Sequence, residues 1–382
     1  MKRLFIPLLL MLCCAAVVSA EERADTTDSI VPHKSLIKRV MDYLEESNKK
    51  PIGRNLDFSL LGGPYYSSES KFGIGLVAAG AYSTAPEDTL TSPSNVSIFG
   101  KVTTMPNFEV GVEGEHIWPR NRFRLNYEVS FSAIRSFYWG AGYEMQSNND
   151  NKSSYRYLES HAESHFAVRV GSNLYIGPLA TFDYINASHL SRPEMWDGQA
   201  LRTFNWGIGA SLRFDTRDNL TAPNSGLYLR WDQTFDFGWM GNKYPFKVNE
   251  LTASWYHSLW RGAVFATQAH WRVTWGNTPW GMLSTIGGSS NMRGYYEGRY
   301  RDKGEADITV ELRQKVWRRN GIVVWAGVAS LFPRLTDINL HHLLPNFGIG
   351  YRWEFKKNVN VRVDYGIGRH ESGIFFNINE AF

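Results

Sequence analysis

From Lys71 onward, apolar and polar residues alternate in segments broken by turn residues, the pattern of half-buried strands. The first segment, Lys71–Ser83, sets Phe72, Ile74 and Leu76 on one face and Gly73 and Gly75 on the other. Asn95–Thr104, Asn107–Trp118, Arg122–Ala133, Ser136–Gln146, Tyr157–Val170, Asn173–Asn186 and Thr203–Asp215 follow. Gly226–Asp236, Lys247–Trp260, Ala263–Trp275, Asp307–Trp317, Gly321–Phe332, Asn346–Phe355, Val359–Arg369 and Gly373–Phe382 complete a set of sixteen. Each can cross hydrocarbon at a tilt, and an even number returns both ends to one side. Short turns, such as Gly171-Ser172 and Arg261-Gly262, alternate with longer loops, such as Ala187–Arg202 and Gly276–Ala306, of which the last is longest. The predicted fold is all-β: a sixteen-stranded antiparallel transmembrane β-barrel over 55–382. On this count Met105-Pro106 lies inside, Thr84–Ser94 outside, and the Gly276–Ala306 loop is the sixth on the outer side.

The last segments fix the faces. Phe347, Ile349, Tyr351, Trp353, Val359, Val361, Val363, Tyr365, Ile374, Phe376, Ile378 and Phe382 point to lipid, and Arg352, Glu354, Asn360, Arg362, Asp364, Asn377 and Asn379 point inward. A charge on the lipid face at mid-depth costs roughly 2 to 4 kcal/mol, so a one-residue slip is strongly disfavoured. Unpaired strand edges leave backbone groups unsatisfied in lipid, so the first segment is expected to meet the last. Gly73 and Gly75 opposite Asn377 would make that seam weak, although strand glycines also serve curvature. Upstream, Asn55–Ser68 alternates Leu56, Phe58 and Leu60 without deciding between a strand and a lead-in. Over Ser35–Asn48, Leu36, Ile37, Val40, Tyr43 and Leu44 recur at helical spacing, predicting a short N-terminal amphipathic helix that reads equally as a linker or a plug.

Composition adds compartment. Lys2 and Arg3, the apolar run Leu4–Val18 and Val18-Ser19-Ala20 predict a cleaved signal peptide over 1–20, followed by a periplasmic segment over 21–54. Both cysteines, Cys13 and Cys14, fall in that leader, so no disulfide or thiolate site is expected in the mature chain. No later apolar run is long enough for a helical span. The 14% aromatic content and 34 glycines suit a membrane barrel. The formal charge of +4, or +2 without Lys2 and Arg3, points to no nucleic-acid partner.

Candidate chemistry centres on Ile286–Arg301, where Arg293-Gly294-Tyr295 forms a loop tip. Glu311 shares a face with Thr309 and Arg313, opposite Ile308, Val310 and Leu312, and is therefore lumenal. If the loop folds inward, Arg293 and Glu311 form a charge-assisted pair in a partly dehydrated interior. Asp215, Arg217 and Asp218, ahead of Gly226, read as a structural turn with locally satisfied amides. His161, Glu163 and His165 share a strand face, as a metal site could, but lumen filling is the commoner use. No Ser or His cluster has the arrangement of a hydrolase. No enzyme activity, metal or cofactor is predicted.

Gly287-Gly288, Met292-Arg293-Gly294-Tyr295 and Glu311-Leu312-Arg313 together resemble the sixth loop and twelfth strand of the BamA/TamA-type outer-membrane assembly and translocation barrels, the bacterial surface antigen superfamily. Phe214-Asp215-Thr216-Arg217-Asp218-Asn219, with Pro223 and Gly226, resembles that family's periplasmic turn between strands eight and nine. Phe376, Ile378 and Phe382 resemble the signal by which such barrels are themselves inserted. Pro64-Tyr65-Tyr66 and Phe72-Gly73-Ile74-Gly75 resemble Bacteroidetes-like variants. The resemblance implies a Gram-negative outer-membrane barrel that assists insertion, assembly or translocation of proteins or lipids. Its partners would be outer-membrane lipids, client outer-membrane proteins and partner lipoproteins. Two departures stand out. The 34 residues from Glu21 to Arg54 are too few for a POTRA domain, and Gly327 stands where the family places an aspartate beside the loop arginine. The alternative is a passive pore or structural barrel.

Overall fold

The structure is a computed structural model that describes residues 57–67, 70–88, 91–196, 198–356 and 358–382. The expected signal peptide, the segment over 21–54 and its helix lie outside the described residues.

The strands are β1 (Asp57–Ser67), β2 (Lys71–Tyr82), β3 (Ser94–Thr103), β4 (Phe108–Ile117), β5 (Phe123–Tyr138), β6 (Ser153–Gly171), β7 (Leu174–Ser188), β8 (Arg202–Asp215), β9 (Gly226–Asp236), β10 (Phe246–Trp260), β11 (Ala263–Gly276), β12 (Ser284–Thr285), β13 (Arg301–Asp302), β14 (Gly304–Trp317), β15 (Asn320–Phe332), β16 (Leu344–Lys356), β17 (Val359–Gly368) and β18 (Glu371–Ile378). All but the two-residue β12 and β13 form one antiparallel barrel wall, in which chain neighbours pair, β11 pairs with β14, and β1 returns to β18. β12 and β13 pair with each other inside the long connection from β11 to β14.

Two features differ from the sequence expectation, and they offset each other in strand number. Asp57–Ser67 is a full strand, paired with β2 along its whole length. Ser136–Gln146 is not a separate strand, because β5 runs unbroken through Ala133–Ser136 to Tyr138. The turn chemistry lies further on, at Gly140 and Gly142, whose φ values of 90° and 86° turn the chain into a one-turn helix, α1 (Tyr143–Ser147). The connections over 83–93 and 104–107 therefore exchange rims relative to the prediction. From β5 onward the rims stand as expected, and the loop carrying Arg293 is still the sixth on its side.

The seam also moves. β18 neighbours β1, not the Lys71 strand, and among the described residues the two meet at Tyr66 with Phe376 and Ser67 with Phe375. Gly73 and Gly75 face Tyr65 and Gly63 of β1 instead of Asn377. Pro64 has no amide hydrogen for a second neighbour, a residue confined to weakly paired strand edges.

Alternation sorts the wall into two faces. Ile308 and Val310 are exposed outward, whereas Thr309, Glu311 and Arg313, at alternate positions, are buried. Phe347, Ile349, Tyr351 and Tyr365 likewise face out, and Arg352, Arg362 and Asp364 face in. Reconstituted in lipid vesicles, Val310→Arg is expected to destabilise the barrel by about 2–4 kcal/mol, read from its denaturant midpoint. An unchanged midpoint would mean that this face does not meet hydrocarbon.

Candidate functional site

The loop between β11 and β14 turns into the barrel instead of standing above it. Its root is the β12–β13 pair, tied to the wall by Arg272, whose Nη1 donates to the Met282 carbonyl at 3.0 Å and to Ser284 Oγ at 3.2 Å. Within the loop, the Gly298 amide donates to Ile286 O and the Gly288 amide to Tyr295 O, both at 3.1 Å, which draws the tip into a compact fold. Ile286, Met292, Tyr295 and Tyr300 then bury themselves against Ala329, Leu331 and Leu344 of the wall. Helix α1 caps this arrangement. Gln146 is fully buried, donates Nε2 to Arg301 O at 2.7 Å and accepts the Arg301 amide at 3.1 Å.

Arg293 lies at the inner end of the loop and is 1% exposed. Its Nη2 pairs with Glu311 Oε1, and its Nη1 donates to Asp364 Oδ2 at 2.9 Å. The guanidinium also lies over the Trp325 ring, 3.8 Å from the centroid. Asn346 Nδ2 donates to the Arg293 carbonyl at 2.9 Å. One side chain thus engages β14, β15 and β17, and its backbone engages β16. Ions so deeply buried are stable only with close partners, because each costs several kcal/mol to dehydrate.

Gly294 permits this depth. Its φ is 116°, and a Cβ there would fall 2.8 Å from the Gly366 carbonyl carbon and the Ile367 amide nitrogen. Side-chain-bearing residues rarely adopt that conformation, and here backbone meets backbone. Tyr295 follows, with its hydroxyl donating to Pro345 O at 2.6 Å and accepting the Arg369 amide at 2.9 Å. Burial pushes its phenol above the usual range, which keeps it a neutral donor.

The pair extends into a chain of charges. Arg313 Nε donates to Glu311 Oε2 at 2.9 Å, Arg352 Nη1 to Asp364 Oδ1 at 2.5 Å, and Arg362 Nη1 to Asp364 Oδ2 at 3.1 Å. Arg352 also donates Nε to Glu380 at 2.8 Å. Asp364 is the partner that sequence reasoning missed. Alternation placed it inward, but nothing local indicated that β17 would reach the loop. At Gly327, where the resemblance implies an acid, a Cβ would come within 2.6 Å of Asn346 Oδ1 and 2.8 Å of Thr309 Oγ1.

The other predicted residues fall in separate places. Asp215 and Arg217 pair at 2.7 Å in the β8–β9 turn, and Asp218 Oδ1 accepts the amides of Asn224 and Ser225 at 2.8 and 3.1 Å. Partial burial raises the Asp218 carboxyl, but these donors outweigh it and hold it below its usual range. Gly226, at φ 114°, passes so close to Thr216 that a Cβ would lie 2.4 Å from its carbonyl oxygen. The turn reaches across the mouth, where Thr221 Oγ1 donates to Asn358 O at 2.6 Å. Asn377 points inward and donates to Ser289 Oγ of the loop at 3.2 Å. Phe376 and Ile378 stay in β18, but Phe382 does not point to lipid. The chain leaves the wall after Ile378, and the Arg313 guanidinium sits 5.2 Å from the Phe382 ring centroid and donates Nη2 to Phe382 O at 2.9 Å. His161, Glu163 and His165 share a face without converging. His161 pairs with Asp183 at 2.7 Å, and Glu163 pairs with Arg230 at 2.7 Å.

Replacing Arg293 by alanine takes from Glu311 and Asp364 the cation they share, leaving Arg313 on the first and Arg352 and Arg362 on the second in a dehydrated interior. The expected loss is about 3–5 kcal/mol, with new protease cleavage between Gly287 and Gly298. Gly294→Ala should open the same cleavage sites with the arginine still present. Resistance equal to wild type in both variants would show that the loop is held by other means.

Residues 102–332 match the model described as the Omp85 superfamily domain. No curated protein matches in sequence. Among solved structures, BamA from Haemophilus ducreyi lacking POTRA domains 1-3 superposes with a TM-score of 0.57 at 10% identity, over 93% of this chain and 80% of that one. CdiB from Acinetobacter baumannii gives 0.54 at 13%, over 85% and 59%, so this chain spans less than two thirds of it. CdiB from Escherichia coli gives 0.54 at 11%, over 90% and 70%. At such identities these structures carry the fold alone, whereas the family model covers more than half of the sequence. The chain belongs to the Omp85 superfamily of outer-membrane β-barrel proteins.

Proposed function

We propose that this chain is a closed sixteen-stranded transmembrane barrel that assists insertion, assembly or translocation of proteins at the outer membrane, acting through a β1–β18 seam that opens laterally. It would reach that membrane by way of a signal peptide at 1–20 and work with outer-membrane lipids, client barrel proteins and partner lipoproteins. The observation that carries this reading is the seam itself: among the described residues β1 pairs with β2 over its full length and with β18 at two residue pairs. β18 has eight residues, fewer than the roughly 9–11 of a full crossing, so the apolar band is narrowest beside the seam. Opening would then expose strand edges able to pair with an incoming strand, a recognised route of strand addition.

The loop supports the same reading. It touches β14 through Glu311, β16 through Asn346, β17 through Asp364 and β18 through Asn377, so it braces the wall on one side of the seam. No bond-making chemistry is proposed. A cysteine pair at Tyr66 and Phe376, which face each other in register, provides the lock. Depleting the native chain should lower the level of other outer-membrane barrel proteins, and the oxidised double-cysteine variant should fail to restore them while its reduced form succeeds. Full restoration by the oxidised form would exclude lateral opening. In planar bilayers the wild type is expected to pass little steady current, rising in Arg293→Ala; a large steady wild-type current would favour a passive pore.

A further inference from the structure

A second cluster of buried charge lies on the lumenal face of β11 and β14, away from Arg293. In the ladder His270 stands opposite Asp307, and Arg272 opposite Glu305. The Glu305 side chain is fully buried and that of Asp307 is 3% exposed. His270 Nδ1 lies against Glu305 Oε1 and 3.6 Å from Asp307 Oδ2. Yet both Glu305 oxygens, Asp307 Oδ2 and His270 Nδ1 lack a properly formed hydrogen bond. Buried polar atoms are seldom left so, and here four are gathered at one point.

The other edge of the imidazole explains its orientation. His270 Nε2 faces Glu250 Oε1 at 3.3 Å, and Glu250 Oε2 is 3.4 Å from Arg272 Nε. An imidazole that gives its Nε2 proton to Glu250 turns the Nδ1 lone pair toward two carboxylates, an arrangement that repels unless a cation lies between them. A carboxylate behind a histidine is the usual device for fixing the tautomer of a metal ligand. The charges agree: Glu250, Glu305 and Asp307 carry three negative charges and Arg272 one positive, leaving two to be neutralised. A second proton on His270 would neutralise only one and would leave carboxylate oxygens without donors.

We propose that His270, Glu305 and Asp307 bind a divalent cation of the zinc class through Nδ1 and two carboxylate oxygens, with Glu250 as the positioning residue for the imidazole. One ligand atom from each of the three lies within 4.8 Å of the others. Ligand atoms around one tetrahedral zinc are about 3.4 Å apart, so modest side-chain rotation closes the set. A nitrogen beside two oxygens favours zinc over calcium, which takes oxygen ligands alone. The cation would pin β11 to β14 at the root of the inward loop, one ladder step from the Arg272 that holds Met282 and Ser284. Spacing along the sequence hides the site, because its ligands come from two strands with the whole loop between them.

The test uses tag-free full-length protein in detergent, stripped with EDTA and dialysed against Zn²⁺ with metal analysis. One Zn²⁺ per chain is expected. Glu305→Gln should weaken binding at least about tenfold, Glu250→Gln by about 10–100-fold with the stoichiometry retained, and His161→Gln not at all. Heat-dependent gel mobility establishes that each variant is folded, and Glu250→Gln leaves the three ligands in place should Glu305→Gln fail to fold. Absence of stoichiometric zinc in the wild type, or wild-type affinity in the folded Glu305 variant or in Glu250→Gln, overturns the assignment.

Discussion

A guanidinium removed from water and shared between two carboxylates is the interaction on which the rest of this barrel depends. Arg293 reaches Glu311 on β14 and Asp364 on β17, strands separated in the wall by β15 and β16. An ion pair between neighbouring strands would add little to a ladder that is already hydrogen-bonded. A cation bridging across several strands, delivered by a loop, instead fixes the curvature of that wall and the position of the loop together. Neither acid would be tolerable there alone. Each is dehydrated and each has further arginines beside it, Arg313 at Glu311 and Arg352 and Arg362 at Asp364, so removing one member takes a partner from groups that water cannot reach.

The surrounding sequence makes room for that bridge. Backbone approaches backbone where Gly294 passes Gly366, and the ring of Tyr295 fits against Gly368, where a Cβ would lie 2.7 Å from it. Trp325 provides a flat apolar face for the guanidinium, joining desolvation to a favourable quadrupole contact. The loop thus replaces water inside the lumen with a fitted set of partners. The same loop binds the last strand through Asn377 and Glu371.

Most of the barrel is joined by long regular ladders whose separation would expose many backbone groups to lipid. Among the described residues β1 and β18 share two residue pairs, and the segment after β18 turns into the mouth to meet Arg313 and Arg352 through Phe382 and Glu380. Chain that could have lengthened the seam is engaged with lumenal charge. On the proposed reading, the barrel parts beside the strands its inner loop braces.

The alternating pattern by itself determined an antiparallel barrel and the inward face of Glu311, Arg352, Arg362 and Asp364, because period-two alternation is a local property enforced by the cost of charge in lipid, whereas the pairing of Arg293 with Glu311 follows only once the loop folds inward. It misplaced the break after β5, where Trp139-Gly140-Ala141-Gly142, not Ala133–Ser136, carries the turn, and it left Asp57–Ser67 undecided because a glycine-glycine-proline run masks strand propensity. Only the tertiary structure decided which strand meets β18, that Phe382 turns inward, that Asp364 is the second acid on Arg293, and that His270 faces Glu305 and Asp307. Each of these depends on what lies across the lumen or across a long loop, and a one-dimensional pattern holds no information about residues brought together by the closing of a sheet.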